Sequence, residues 1–473
     1  MKIFALRSLL MILITPVFLY VRADVRLPAV LGSHMVLQQN SDEKIWGWCD
    51  PSEKIKINSS WDTISYNTIG TSDGKWILSI KTPSAGGPYT LTINGSNKIV
   101  LEDILVGEVW DCSGQSNMEM SYNSGVQEYT ADAENANNKS IRLFHIPRLS
   151  AEYPQDDTKA QWVVCNPEDM KYFSLAGYFF GQKLQEVLSV PVGLIEASWG
   201  GTPAEAWTPR HAIDSNAVLK EAADKLAPIP WGPIRGGATY NAMIYPVTNF
   251  NIAGVIWYQG EANVEAASTY HLLFSTMISE WRKAWQNDFP FYFVQIAPFE
   301  GYGNNISGSL LQEAQTKTLD VPKTGMVVIN DLVPDVNDIH PKNKKDVGIR
   351  LANYALAEVY GKKTAAYKSP MYKSMKIEKG RIRIYFDNAD NGLVSRNGPP
   401  TEFYIAGEDK IFMAATAKVD GNSVVVWNKN IQNPVAVRFG FTNASMPNLF
   451  SKEGLPTNPF RSDNWDNVNT INK

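Results

Sequence analysis

Leu105-Val106-Gly107-Glu108-Val109-Trp110-Asp111-Cys112-Ser113-Gly114-Gln115-Ser116-Asn117-Met118 changes character halfway along. Leu105 to Asp111 reads as a short, mostly apolar strand. Beyond it stands a glycine flanked by hydroxyls and amides. Glycine lets the backbone turn tightly where the strand ends. A serine just beyond such an end is well placed as a nucleophile, and its own amide can face a developing oxyanion. Ser116 is the candidate. Ser113 is its rival, because it lies closer to the strand.

Downstream the pattern repeats. From Phe173, apolar or small residues recur at Ala176, Gly177, Phe180, Leu184 and Val187, the spacing of one helix face. Val192 to Ala197, Ile252 to Tyr258, Phe291 to Ile296 and Met326 to Asn330 are short apolar runs. Helical stretches lie over His271 to Trp285, Leu310 to Leu319 and Lys342 to Tyr360, with Pro341 before the last. Continuous apolar strands alternating with helices predict an α/β domain with a parallel sheet covered on both faces. Such sheets bind ligands at the carboxyl ends of their strands.

Both flanks read differently. Residues 24–104 hold short alternating runs such as Ile45-Trp46-Gly47-Trp48 and Tyr89-Thr90-Leu91-Thr92-Ile93, separated by turn residues. They predict a β-sandwich. Residues 366–473 carry hairpin patterns around Lys379-Gly380 and Asp420-Gly421-Asn422, and predict a second β domain. The α/β domain is therefore expected over 105–365. Residues 1–23 have a basic start at Lys2 and Arg7 and an apolar stretch from Leu9 to Val21. They read as a signal peptide cleaved near Ala23, which implies a periplasmic or extracellular protein.

Loss of Lys2, Arg7 and Arg22 takes the formal charge from −4 to −7. That argues against nucleic acid or an anionic membrane as partner. Cys49, Cys112 and Cys165 are too few for a disulfide framework and too scattered for a zinc site; they read as buried thiols, with one disulfide open. The 14 tryptophans suit a protein that handles sugars, although large cores also absorb them.

A serine nucleophile needs a base, and histidine is the usual one near neutral pH. His34, His145, His211, His271 and His340 are the five available. His340 lies after the last predicted strand, in Asp335-Val336-Asn337-Asp338-Ile339-His340-Pro341, with carboxylates beside it. The same residues make good turn chemistry. Two further strand ends carry glycines and amides: Trp199-Gly200-Gly201-Thr202 leading to Glu205-Ala206-Trp207, and Gln259-Gly260-Glu261-Ala262-Asn263. A bare Gly201 amide, or a side-chain amide from Gln259 or Asn263, would suit an oxyanion. Glu261 also reads as a buried partner of Arg282.

Four blocks in this order resemble the sialate O-acetylesterase family of SGNH (GDSL-like) hydrolases. They are Gly107-Glu108-Val109-Trp110 with Cys112-Ser113-Gly114-Gln115-Ser116-Asn117-Met118; Trp199-Gly200-Gly201-Thr202 with Glu205-Ala206-Trp207; Trp257-Tyr258-Gln259-Gly260-Glu261 with Asn263; and Asp338-Ile339-His340-Pro341. Ile405-Ala406-Gly407-Glu408-Asp409 and Pro459-Phe460-Arg461 extend the likeness into the tail. The resemblance implies a three-layer α/β/α SGNH domain between β domains. It implies a serine esterase that removes acetyl groups from carbohydrate hydroxyls and needs no metal or organic cofactor. Its roles fall on Ser116 as nucleophile, His340 as base and Asp338 as third member. The oxyanion donors would be the Ser116 amide, Gly201 and Gln259. Many SGNH enzymes have the acid three residues before the histidine, where this chain has Asn337, so Asp335 or a backbone carbonyl stays open as the holder of the imidazole. Trp207, Tyr258 and Asn263 would contact the sugar; for Trp207 and Tyr258, packing beneath the loops is the alternative. Two other readings use the same residues: a glycoside hydrolase with Glu205 and Glu261 as paired carboxylates, and a non-catalytic carbohydrate-binding protein.

Overall fold

The computed structural model describes residues 24–304, 306–465 and 471–472; the expected signal peptide at 1–23 lies outside them. The strand read at 105–111 is much longer than the apolar run. It extends over Lys98–Gly114 (β1). Its first half is alternately exposed and buried, and pairs antiparallel with Gly86–Asn94. Its second half is wholly buried, between two parallel neighbours. One strand thus belongs to two sheets, and the boundary expected at 104 falls inside it.

The central sheet adds Asn138–His145 (β2), Trp162–Cys165 (β3), Val192–Ser198 (β4), Gly254–Tyr258 (β5), Phe291–Val294 (β6) and Thr324–Val327 (β7). Their order is β7-β6-β5-β1-β4-β2-β3, parallel except for β3 at one edge. β2 and β3 leave weak traces in the sequence. Of β2 only Ile141 to Phe144 looks strand-like, and β3 is a four-residue edge strand.

The four longest helices among the described residues fall where the periodicity predicts: Leu175–Leu188 (α1), Ala267–Trp285 (α2), Ser307–Lys317 (α3) and Lys344–Glu358 (α4). Ser174 caps α1 by accepting the Gly177 N–H at 3.0 Å. Asn343 caps α4 in the same way, accepting from Asp346, so Pro341 stands just before the helix and not inside it. α1 and α4 pack together on one face of the sheet, where Phe180, Leu184 and Leu351 bury their side chains against Trp110 and Ile256. α2 and α3 cover the other face, where Leu273, Phe274, Trp281 and Leu311 meet Trp257 and Phe291. This is the three-layer α/β/α fold the sequence implies. Trp257 and Tyr258, adjacent on β5, point to opposite layers because side chains alternate along a strand.

The carboxy-terminal region folds on its own core of Ile382, Ile384, Val424, Val426, Val437 and Phe439. It docks on α3: Arg461 pairs with Glu313 at 2.9 Å, and Asn443 accepts the Gly308 N–H at 2.8 Å. Cys49, Cys112 and Cys165 are all buried free thiols, so no disulfide joins any two of them. No helix among the described residues is long and apolar enough to cross a membrane.

Candidate active site

All the loaded loops lie at one edge, because β1, β4, β5 and β7 run parallel. Gly114 ends β1 at φ 147°, and a Cβ there would sit 2.2 Å from the Tyr258 carbonyl oxygen. Only glycine fits so close an approach. The backbone then takes one bond from each neighbouring strand end: Trp199 N–H donates to the Gly114 carbonyl at 3.1 Å, and Gln115 N–H to the Tyr258 carbonyl at 3.0 Å. So anchored, the chain starts the single helical turn Ser116–Glu119.

Ser116 Oγ lies 3.0 Å from His340 Nε2. His340 arrives on the loop between β7 and α4, 224 residues away in sequence. Ser113, the rival, is buried and donates to Asp111 Oδ2 at 2.6 Å. The other histidines serve elsewhere: His34 pairs with Asp103, His211 with Glu280 and His271 with Asp320. His145 ends β2 and borders the same cleft as Ser116.

The third member of the expected triad is poorly engaged. Asp338 Oδ1 is 4.0 Å from His340 Nδ1, beyond a hydrogen bond, and instead accepts the His340 backbone N–H at 2.9 Å. Asp335 is occupied by Asn337, which donates to it from both its backbone and its side chain. The histidine loop is held from within the protein. Asn117 Nδ2 donates to the Ile339 carbonyl at 3.1 Å and to Glu261 Oε1 at 2.5 Å. Asn117 Oδ1 accepts from Lys344 Nζ at 2.6 Å. Lys344 is fully buried, its ammonium 5.1 Å from the centre of the Tyr258 ring.

These contacts set the charge states. Burial pushes Lys344 down to about 7, against the opposing pull of Glu261. Burial likewise raises Glu261, while Asn117 and Lys344 pull it back. His340 is lowered below its ordinary value, first by burial and then by the charge of Lys344, with Asp338 opposing. A neutral imidazole beside a serine hydroxyl is the form a general base requires.

A cleft of about 780 Å³ opens over Ser116 and His340. Gly201 lines it at φ 75°, and neither its amide nor that of Ser116 has a partner among the described residues. Gln259 does not reach the cleft. It is fully buried; its Nε2 donates to Asn263 Oδ1 at 2.7 Å and its Oε1 accepts from Tyr270 at 2.9 Å. The glutamine that lines the cleft is Gln115. Its Oε1 accepts Ala262 N–H at 3.2 Å and Gly260 N–H at 3.4 Å, leaving Nε2 without a partner among the described residues.

The expected sugar contacts also move. Trp207 is fully buried, donating to Thr202 Oγ1 at 2.8 Å and set edge-on to Trp257. Tyr258 is fully buried under Lys344. Asn263 is buried between the Ala204 N–H and Glu205. None of the three lines the cleft: Trp207 and Tyr258 point into layers already covered by helices, and Asn263 ties two loops together. The exposed aromatics that line the cleft are Trp231, at 59%, and Tyr172, at 64%. Trp231 sits in Pro228-Ile229-Pro230-Trp231-Gly232-Pro233; a large aromatic in a proline- and glycine-rich loop was the signal available in the sequence.

Glu205 is buried on Asn263 and does not line the cleft, so the Glu205–Glu261 pair expected of a glycoside hydrolase does not face one site. Glu261 does not bind Arg282 as expected; that guanidinium lies 3.4 Å from Asp288. Among the described residues, no group of three or more His, Cys, Asp or Glu could hold a metal ion.

A covered parallel sheet with a serine and histidine in contact at its carboxyl edge suits hydrolytic acyl transfer, and the likenesses that follow make the chain a carboxylic-ester hydrolase. The sequence profile of the family described as "Carbohydrate esterase, sialic acid-specific acetylesterase" matches residues 106–357. A carbohydrate acetylesterase from Xanthomonas citri, of known crystal structure, is 34% identical and superposes with a TM-score of 0.85, covering 93% of this chain and 100% of its own. Human sialate O-acetylesterase is 29% identical over 408 residues, 76% of each chain. The mouse enzyme is 27% identical over 427 residues, covering 76% of this chain and 79% of its own. The chain belongs to the sialic acid-specific acetylesterase family of carbohydrate esterases.

Proposed function

We propose that this protein releases acetate from O-acetylated sugars, sialic acid among them, through an acyl-enzyme on Ser116. The observation that carries the reading is the 3.0 Å contact between Ser116 Oγ and His340 Nε2 at the floor of an open cleft. Ser116 Oγ attacks the acetyl carbonyl and gives its proton to His340 Nε2. The tetrahedral oxyanion rests on the Ser116 and Gly201 N–H groups and on Gln115 Nε2, which takes the place first expected for Gln259. The carbon–oxygen bond to the sugar breaks, and the sugar oxygen leaves with the proton from His340. Water repeats the sequence on the acetyl-serine, releasing acetate and restoring the hydroxyl. Asp338 supports the imidazolium from a distance, and Trp231 offers the sugar a flat apolar face. The expected signal peptide would carry the enzyme to the periplasm or medium, where such glycans occur.

The experiment is acetate release from 4-nitrophenyl acetate and from a panel of acetylated glycans, with Ser116→Ala beside the wild type. The variant should retain its circular-dichroism spectrum and lose turnover. Near-normal turnover by Ser116→Ala would remove the acyl-enzyme.

A further inference from the structure

The cleft carries a cation whose reactive face is free. Arg148 donates through Nε to Glu119 Oε1. Glu119 Oε2 accepts the Gly200 N–H at 2.8 Å. Gly200 in turn lies against the nucleophile, since a Cβ built on it would stand 3.2 Å from Ser116 Cβ. Ser116, Gly200, Glu119 and Arg148 therefore follow one another along one wall. Neither Nη atom of Arg148 has a partner among the described residues, and its side chain is 56% exposed. Arg148 is the only lysine or arginine among the residues lining this cleft. Leu226, Ile229, Trp231 and Ile234 give the same cleft an apolar lining.

Glu119 offsets the charge of Arg148 but occupies only its Nε edge. What remains is a planar pair of N–H donors, fixed in direction by the carboxylate behind it. A guanidinium fork held this way matches the two oxygens of a carboxylate, which a lysine would meet only as a point charge. Glu261, the other acid bordering the cleft, is tied to Asn117 and pushed by burial toward its neutral form, so it does little to repel an anion.

We propose that Arg148 determines specificity by binding a carboxylate borne on the sugar ring whose acetyl ester Ser116 attacks. The inference rests on the esterase reading above and narrows its substrate to acidic sugars. A neutral acetylated sugar of equal size would leave the fork unmatched.

The test compares acetate release from O-acetylated N-acetylneuraminic acid and from its methyl ester, which differ only in that carboxylate. The wild type should prefer the free acid by about tenfold or more in kcat/KM, the range for a charge-assisted contact. Arg148→Gln should bring the ratio to about one, and Arg148→Lys to a value between. Inhibition of 4-nitrophenyl acetate hydrolysis by N-acetylneuraminic acid and by its methyl ester gives the same comparison on the wild type alone, should the variants not fold. A wild-type ratio near one, or an Arg148→Gln variant that keeps the wild-type ratio, overturns the proposal. If the wild type deacetylates neutral glycans but neither the acid nor its ester, the acidic-sugar assignment falls and the esterase stands. No acetate from any substrate removes the esterase reading itself.

Discussion

Two glutamines compete for one role, and their surroundings predict opposite phenotypes. Gln115→Ala removes an Nε2 donor that has no partner among the described residues, on a side chain that lines the cleft with Ser116. Loss of one oxyanion donor costs about 3–4 kcal/mol of transition-state binding, or roughly 10²–10³ in kcat. The stability cost is smaller. The two bonds its Oε1 accepts are long, at 3.2 and 3.4 Å, so about 1–2 kcal/mol is expected. Gln259→Ala reverses the balance. It breaks bonds to Asn263 and Tyr270 at 2.7 and 2.9 Å, strands their partners in a dry layer and opens a cavity. Together these cost roughly 3–5 kcal/mol. The assay is steady-state hydrolysis of 4-nitrophenyl acetate with urea midpoints for both variants. Gln115→Ala should lower kcat at nearly constant KM with a small midpoint shift; Gln259→Ala should shift the midpoint most. A Gln115→Ala enzyme within about threefold of wild-type kcat would refute the oxyanion assignment, since a lost donor of this kind costs far more.

The same geometry sets three other expectations. Lys344→Met removes a cation that, with burial, lowers the pKa of His340, leaving Asp338 to raise it. Lys344 is charged below about 7, where the acid limb lies. The base must be neutral, so its pKa rises in the variant and the acid limb of kcat/KM should move to higher pH; a limb that stays or moves down contradicts the argument. Asp338→Ala should cost only about 10- to 100-fold in kcat, far less than the roughly 10⁴ typical of a triad acid bonded to its histidine, because its carboxylate stands 4.0 Å from the ring. Trp231→Ala should raise KM for an acetylated glycan several-fold more than for an aryl acetate, as measured by parallel saturation curves.

The sequence made the strand ends legible because a covered parallel sheet leaves a plain trace: apolar runs alternating with helical spacing. Ser116 and His340 could be found that way, each just past such a run. The same logic misplaced Gln259, Asn263, Trp207 and Tyr258. Being near a strand end says nothing about which way a side chain turns, and these four turn beneath the loops. Gln115 was hidden by adjacency, since its direction depends on two backbone amides from another strand's loop. Asn117 and Lys344 meet across 227 residues, and nothing local marks either as buried against the other. Edge strand β3 and the far half of β1 escaped because short or half-exposed strands resemble loops.

The strand that serves two sheets has a mechanical consequence. No flexible tether separates the amino-terminal module from the turn bearing Ser116; the same unbroken backbone runs from Lys98 through Gly114. Swapping or trimming that module would leave half of the catalytic sheet's middle strand without its lateral neighbour, so the module is not a detachable accessory. A pull applied there would travel along a taut peptide chain straight to the nucleophile, and the two units should yield to force together.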